Sequence, residues 1–176
     1  MKRAGCWQIG FGIENADPAI LKAIKKSESL EESKRTVQLV TECGINAKIS
    51  FMFGLPGETE ATIRKTIAFA KTLSADIVNF HIFIPFPGTE LFRTLSAQGA
   101  ILHKNYQHYC QLNLPKDRHL PFVPEGLTED QIRRFSSQAY KSFYLRPTYI
   151  YSQLKQIRNL ADIDRYWQAF LAVIGL

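Results

Sequence analysis

Met52-Phe53-Gly54-Leu55-Pro56-Gly57-Glu58-Thr59-Glu60 begins inside an apolar run, Ala47 to Phe53, and leads into an amphipathic one, Thr62 to Leu73. That order predicts a strand, a tight loop and a helix. Gly54 and Gly57 bracket Pro56, so two positions are free to take φ > 0 and one has φ fixed. Gly54 has no side chain to hold a ligand away from the backbone. Thr59 is the expected N-cap, with Glu58 and Glu60 supplying negative charge to the helix N-terminus. Open and closed α/β folds place ligands at such strand-end turns. A plain βα connection is the alternative that this stretch leaves open.

Upstream, Cys6 to Ile13 reads as a short strand ending at Glu14. Asp17-Pro18 then has the residue types of an N-cap and first helical position, opening a helix to about Lys26. A second helix, Leu30 to Cys43, carries Leu30, Val37 and Val40 on one face and is closed by Gly44. The strand Asn46 to Phe53 follows, then a helix Glu58 to Leu73 with the stripe Ile63, Ile67, Ala70 and Leu73. Asp76 to Ile84 is nearly all apolar, the pattern of a parallel strand buried on both faces. Pro85-Phe86-Pro87-Gly88-Thr89 leads from it into a helix, Glu90 to Gln98. The order is β-α-α-β-α-β-α, with strand ends near 13, 53 and 84. A (βα)₈ barrel repeats about every 31 residues. Three strands cannot close a barrel and would leave two hydrogen-bonding edges. The expected fold class is therefore α/β, either an open sheet or a piece of something larger.

Residues 101–127 read as an irregular connector, with Pro115, Pro121 and Pro124. Thr128 then caps a helix to about Tyr144 with Ile132, Phe135, Ala139 and Phe143 inward. Helices over about 148–158 and 162–174 complete a helical region, 128–176. Tyr144, Tyr149, Tyr151, Tyr166 and Trp167 are read as core or docking surface. Residues 1–100 form the βα part.

Net charge is +6, split evenly between residues 1–115 and 116–176, and basic residues adjoin only in pairs. No nucleic-acid footprint is indicated. No apolar run reaches the roughly 18 residues of a membrane span. Cys6, Cys43 and Cys110 are odd in number and far apart, which argues for a reducing compartment, here the cytoplasm. Cys6 and Cys43 are expected to be small buried thiols.

In a parallel array the strand ends lie side by side. Glu14 can accept hydrogen bonds from ligand hydroxyls, the Gly54 bend admits a flat ligand to the backbone, and Ile84-Pro85-Phe86 offers carbonyls to an exocyclic amine. Together they suit a nucleoside. The alternative is that Glu14 caps the next helix and the Pro/Gly runs are turns. A phosphate at the Gly57 loop of an unrelated βα barrel is a further reading. His81, within the third strand, faces either substrate or packing. His103, His108 and His119 fit no metal motif, and Tyr106 and Tyr109 beside them could line a substrate mouth.

AGCWQIGFGIENADPAILKAIKK (4–26), CGINAKISFMFGLPGETEATIRKTIAFA (43–70), IFIPFPGTELF (82–92) and FYLRPTYI (143–150) resemble the C-terminal part of radical S-adenosylmethionine (radical SAM) enzymes. The class with an N-terminal cobalamin-binding domain is the most similar. The resemblance implies a partial (βα)₆ TIM-like barrel of which this chain holds the last three βα units. It implies that Glu14 contacts the ribose of S-adenosylmethionine, that Phe53 and Gly54 lie against its adenine and methionine carbons, and that the backbone of Ile84, Pro85 and Phe86 holds the adenine. It also implies a 4Fe–4S cluster that cleaves the sulfonium to a 5′-deoxyadenosyl radical, for methylation or a related rearrangement. No catalytic residue is assigned.

The family's C-x-x-x-C-x-x-C motif is absent, and Cys6, Cys43 and Cys110 cannot replace it. On the resemblance, the first three βα units and any cobalamin domain are expected to lie outside the given sequence. Where the family shows Glu-Ser-Gly, this chain has Glu14-Asn15-Ala16. The chain alone is expected not to assemble a cluster or turn over. The competing expectation is a non-catalytic module, or an orphan fragment needing its missing N-terminal half.

Overall fold

The computed structural model describes residues 1–103, 109, 119–154, 167, 168, 170, 171, 173 and 175. Alternation along strand β2 (Asn46–Phe53) sets the layers: Ala47, Ile49, Phe51 and Phe53 are buried, and Lys48, Ser50 and Met52 are half-buried. β2 is the middle of a parallel sheet of order β1-β2-β3, with β1 (Gln8–Glu14) and β3 (Ile77–Ile82) on its flanks. Pairing runs from Gln8↔Asn46 to Gly12↔Ser50 on one side and from Lys48↔Ile77 to Phe53↔Ile82 on the other.

Helices α1 (Pro18–Ala23) and α2 (Leu30–Glu42) carry the chain from β1 to β2, and α3 (Glu60–Thr72) carries it from β2 to β3. α4 (Glu90–Ala97), α5 (Glu129–Tyr144) and α6 (Pro147–Leu154) follow. α1 stops early, because Lys25 takes φ +59° and the Lys26 amide reaches back to the Leu21 carbonyl. That is a Schellman ending with lysine where glycine is usual. The expected helical stripes face inward: Ile63, Ile67 and Ala70 of α3, and Ile132, Phe135, Ala139 and Phe143 of α5, are buried. With Val37 of α2 they cover the Ala47–Phe53 face in one core. Leu120 of the connector joins that core, and Phe122 joins a second cluster with Ile20, Leu55, Phe83 and Leu95.

β3 is not buried on both faces. Val78 and Phe80 are buried, whereas Asn79 and His81 are half-buried, because α2, α3 and α5 all cover the same side of the sheet. The cysteines also depart from expectation. Cys43 is exposed at the end of α2 and Cys6 is half-buried. Cys110 and the greater part of the expected helices beyond Leu154 lie outside the described residues.

The outer edge of β3 is closed by the chain's own side chains. Tyr144 Oη accepts from the Val78 amide and donates to the Val78 carbonyl, both at 2.9 Å. Tyr140 Oη accepts from the Phe80 amide at 3.1 Å, Ser136 Oγ donates to the Phe80 carbonyl at 3.2 Å, and Tyr149 Oη donates to the Asp76 carbonyl at 3.0 Å. Residues four apart lie on one face of a helix and rise about 6 Å, so Ser136, Tyr140 and Tyr144 carry their hydroxyls along the outward groups of Phe80 and then Val78. The outer edge of β1 is managed differently: the Lys26 ammonium donates to the Gly12 carbonyl, beside a cleft of about 340 Å³.

Candidate functional site

The parallel register brings the three strand C-termini to one end of the sheet, with Glu14 opposite Phe51 and Phe53 opposite Ile82. Glu14 follows a register irregularity after Gly12 and has φ +69°. Its carboxylate folds back over Gly12, where any β-carbon would collide with Oε1. Burial pushes the carboxyl above its usual range, Lys26 pulls it down, and Glu28 adds to the rise. Glu14 does not cap the next helix; Asp17 does, accepting from the Ala19 amide at 2.9 Å.

The Gly54 turn takes φ +83°, as its glycine allows. The space a side chain would fill is not left for a ligand. A β-carbon there would stand 3.3 Å from Cδ1 of Ile132 on α5. Glu58 is likewise not a surface charge at the α3 N-terminus. It is fully buried, and its Oε2 accepts from the Gly54 amide at 2.5 Å and the Leu55 amide at 3.2 Å. Its Oε1 accepts from Asn15 Nδ2 at 2.6 Å. Desolvation raises its pKa to about 7 against these three donors. α3 therefore starts at Glu60, and Thr59 and Thr62 form its capping box.

Phe53 and Ile84 are core residues. The Phe53 ring stacks on Phe80 at 5.6 Å, and its carbonyl accepts from the Phe83 amide at 2.7 Å. Pro85 is buried and Phe86 is exposed, with the Phe86 carbonyl accepting from the Thr89 hydroxyl at 2.7 Å. The six expected residues thus share one end of the sheet, but only Glu14 and Phe86 have side chains open to solvent, and the Glu14 carboxylate lies back over Gly12. His81 lies on the face opposite the core, in register with Met52, and burial with the Lys48 charge holds its imidazole below the usual range. His103 and His119 stack at 5.7 Å, with His119 Nδ1 3.4 Å from Glu129. Tyr109 packs on Phe92, whereas Tyr106 and His108 lie outside the described residues. Among the described residues no group of His, Cys, Asp or Glu could hold a metal ion.

Residues 1–70 match the Radical SAM superfamily. The matched segment contains β1, β2, Glu14 and the whole Gly54–Glu58 turn. The chain is 37% identical over 148 residues to an uncharacterised methyltransferase of Pyrococcus horikoshii, covering 84% of this chain and 31% of that protein. It is 31% identical over 94 residues to the anaerobic magnesium-protoporphyrin IX monomethyl ester cyclase of Rubrivivax gelatinosus, covering 53% and 17%. It is 26% identical over 124 residues to the bacteriochlorophyllide d C-8(2)-methyltransferase of Chlorobaculum tepidum, covering 68% and 28%. The chain thus spans less than a third of the length of these relatives.

The sequence reading took Glu58 as charge at the α3 N-terminus and Asn15 as a departure from the family's Glu-Ser-Gly, and it did not single out Thr66; all three are buried polar residues between the β1 end and α3. Thr66 Oγ1 accepts from the Ala16 amide at 3.0 Å, and Lys65 pairs with Asp17 at 3.1 Å. The signal was an acid just before the Thr59 cap, four residues after a glycine amide it could bend back to meet.

Proposed function

We propose that this chain is the C-terminal part of a radical SAM enzyme and carries part of its S-adenosylmethionine pocket. The observation that carries the reading is the half-buried Glu14 carboxylate at the end of β1, paired opposite Phe51 three residues before the Gly54 turn, inside the segment that matches the superfamily. Glu14 fits the ribose hydroxyls as an acceptor, and backbone groups around Phe53–Gly54 and Ile84–Phe86 would border the adenine and methionine. The described residues do not fit an iron–sulfur cluster: Cys6 and Cys43 are single free thiols, and no ligand group surrounds them. We assign the 4Fe–4S cluster, and with it the radical chemistry, to an N-terminal half that pairs along the outer edge of β1. Methylation or a related rearrangement is the assigned reaction of the whole protein, supported by relatives named as methyltransferases. The cobalamin-associated class is assigned on the resemblance of residues 4–26, 43–70 and 82–92.

Calorimetry with S-adenosylmethionine tests the pocket. Binding to the natural chain is expected, weakened about tenfold in Glu14→Gln, or about 1.4 kcal/mol. A folded chain that gives no heat of binding overturns the retained pocket.

A further inference from the structure

Glu58 is a buried carboxylate with each oxygen assigned to a different partner. Oε1 takes the Asn15 side chain, and Oε2 takes the Gly54 and Leu55 amides. Asn15 is itself fixed, because its Oδ1 accepts from the Asp17 amide at 2.9 Å. The amide group of Asn15 therefore has to point Nδ2 at Glu58. One side chain thus joins the end of β1 to the turn after β2, and contacts from Ala16 to Thr66 and from Asp17 to Lys65 hold the same loop on α3. We propose that Glu58 is the positioning residue of this site: its carboxylate clamps the Gly54 turn to the residues that follow Glu14, so that the ribose and base sides of the pocket are set as one unit. That the unit faces S-adenosylmethionine rests on the function proposed above; the clamp does not.

The donor pattern makes the clamp separable from the mere presence of a side chain. In Glu58→Gln, an NH₂ must face either the Asn15 NH₂ or the two backbone amides. Flipping Asn15 only moves the mismatch to the Asp17 amide. Combining Glu58→Gln with Asn15→Asp restores every pairing. The introduced glutamine accepts from the two backbone amides through its oxygen and donates through its nitrogen to one oxygen of the introduced aspartate. The other aspartate oxygen accepts from the Asp17 amide. The number of buried carboxylates is unchanged.

The test compares the full chain, the single variant and the double variant by amide hydrogen exchange at Gly54 and Leu55, referenced to amides of α5, and by S-adenosylmethionine calorimetry. Glu58→Gln is expected to speed exchange at both amides about tenfold relative to α5 and to weaken binding about tenfold. The double variant is expected to return both toward the natural values. Unchanged exchange in the single variant, or a double variant no better than the single one, overturns the clamp. If Glu58→Gln does not fold, a folded double variant with protected Gly54 and Leu55 amides supports the clamp, and one that also fails to fold overturns it. A natural chain with protected amides and no S-adenosylmethionine binding keeps the clamp and overturns the proposed function.

Discussion

A carboxylate fully withdrawn from water is costly to ionise, and Glu58 shows which side of that balance wins here. Three donors favour the charged form, yet desolvation outweighs them and the carboxyl titrates near pH 7. The folded chain then holds this proton more tightly than the unfolded chain, whose Glu titrates near 4.5. Its contribution to stability is full below about pH 4.5 and is lost as pH rises through about 7, by up to about 3 kcal/mol. His81 works in the opposite direction over part of that range, because its folded pKa is lowered, and Glu14 in the same direction. Urea unfolding of the natural chain and Glu58→Gln at pH 5 and pH 8 separates them, since the variant keeps both. The natural chain should lose more stability between the two pH values than the variant, and equal losses would remove Glu58 as a titrating group. Glu14 and Gly54 were legible as strand-end residues from glycine spacing and the apolar runs around them. The inward turn of Glu58 was only half legible, because its spacing from Gly54 lets it bend back to the loop while its place beside an N-cap equally suits the helix dipole.

Among the elements, α5 shows how a helix can finish a sheet. Ser136, Tyr140 and Tyr144 fall at every fourth position, and their hydroxyls meet the outward backbone groups of Val78 and Phe80. Tyr144→Phe leaves the amide and carbonyl of buried Val78 without that partner, at a cost of about 1–3 kcal/mol. A lower urea midpoint together with faster exchange of the Val78 amide is the expected result; an unchanged midpoint would mean that water replaces the hydroxyl freely. The apolar stripe of α5 was plain in the sequence, because Ile132, Phe135, Ala139 and Phe143 keep a helical period. Its polar stripe also kept a period, but nothing local says that hydroxyls at that spacing belong to a strand more than fifty residues earlier. The same locality explains the misread face of β3. An apolar run such as Asp76 to Ile84 reports hydrophobicity, and only the placement of the helices decides which faces they cover.

At the scale of the molecule the two sheet edges are unequal. The β3 edge is sealed by α5 and α6, whereas among the described residues the β1 edge meets the Lys26 ammonium at the Gly12 carbonyl and adjoins a cleft. The helical region and the sheet share a single core, since Phe51 and Phe53 cluster with Ile132, Phe135 and Phe143. Removing residues 128–176 uncovers that face. Each large apolar residue lost is worth about 1.5–3 kcal/mol of burial, against a total stability of about 5–15 kcal/mol for a typical domain. A 1–127 chain is therefore expected to show no cooperative thermal transition by circular dichroism, and a sharp transition would show that the sheet holds its core without α5. The sequence by itself determined the element order, the strands and helices and their inward stripes, because turn residues, caps and hydrophobic periods are local signals. The tertiary structure alone decided which face of the sheet is covered, which edge is sealed, and that Glu58 turns inward to join β1 to the Gly54 turn. Those outcomes depend on groups distant in the chain meeting in space, and no local pattern specifies such a meeting.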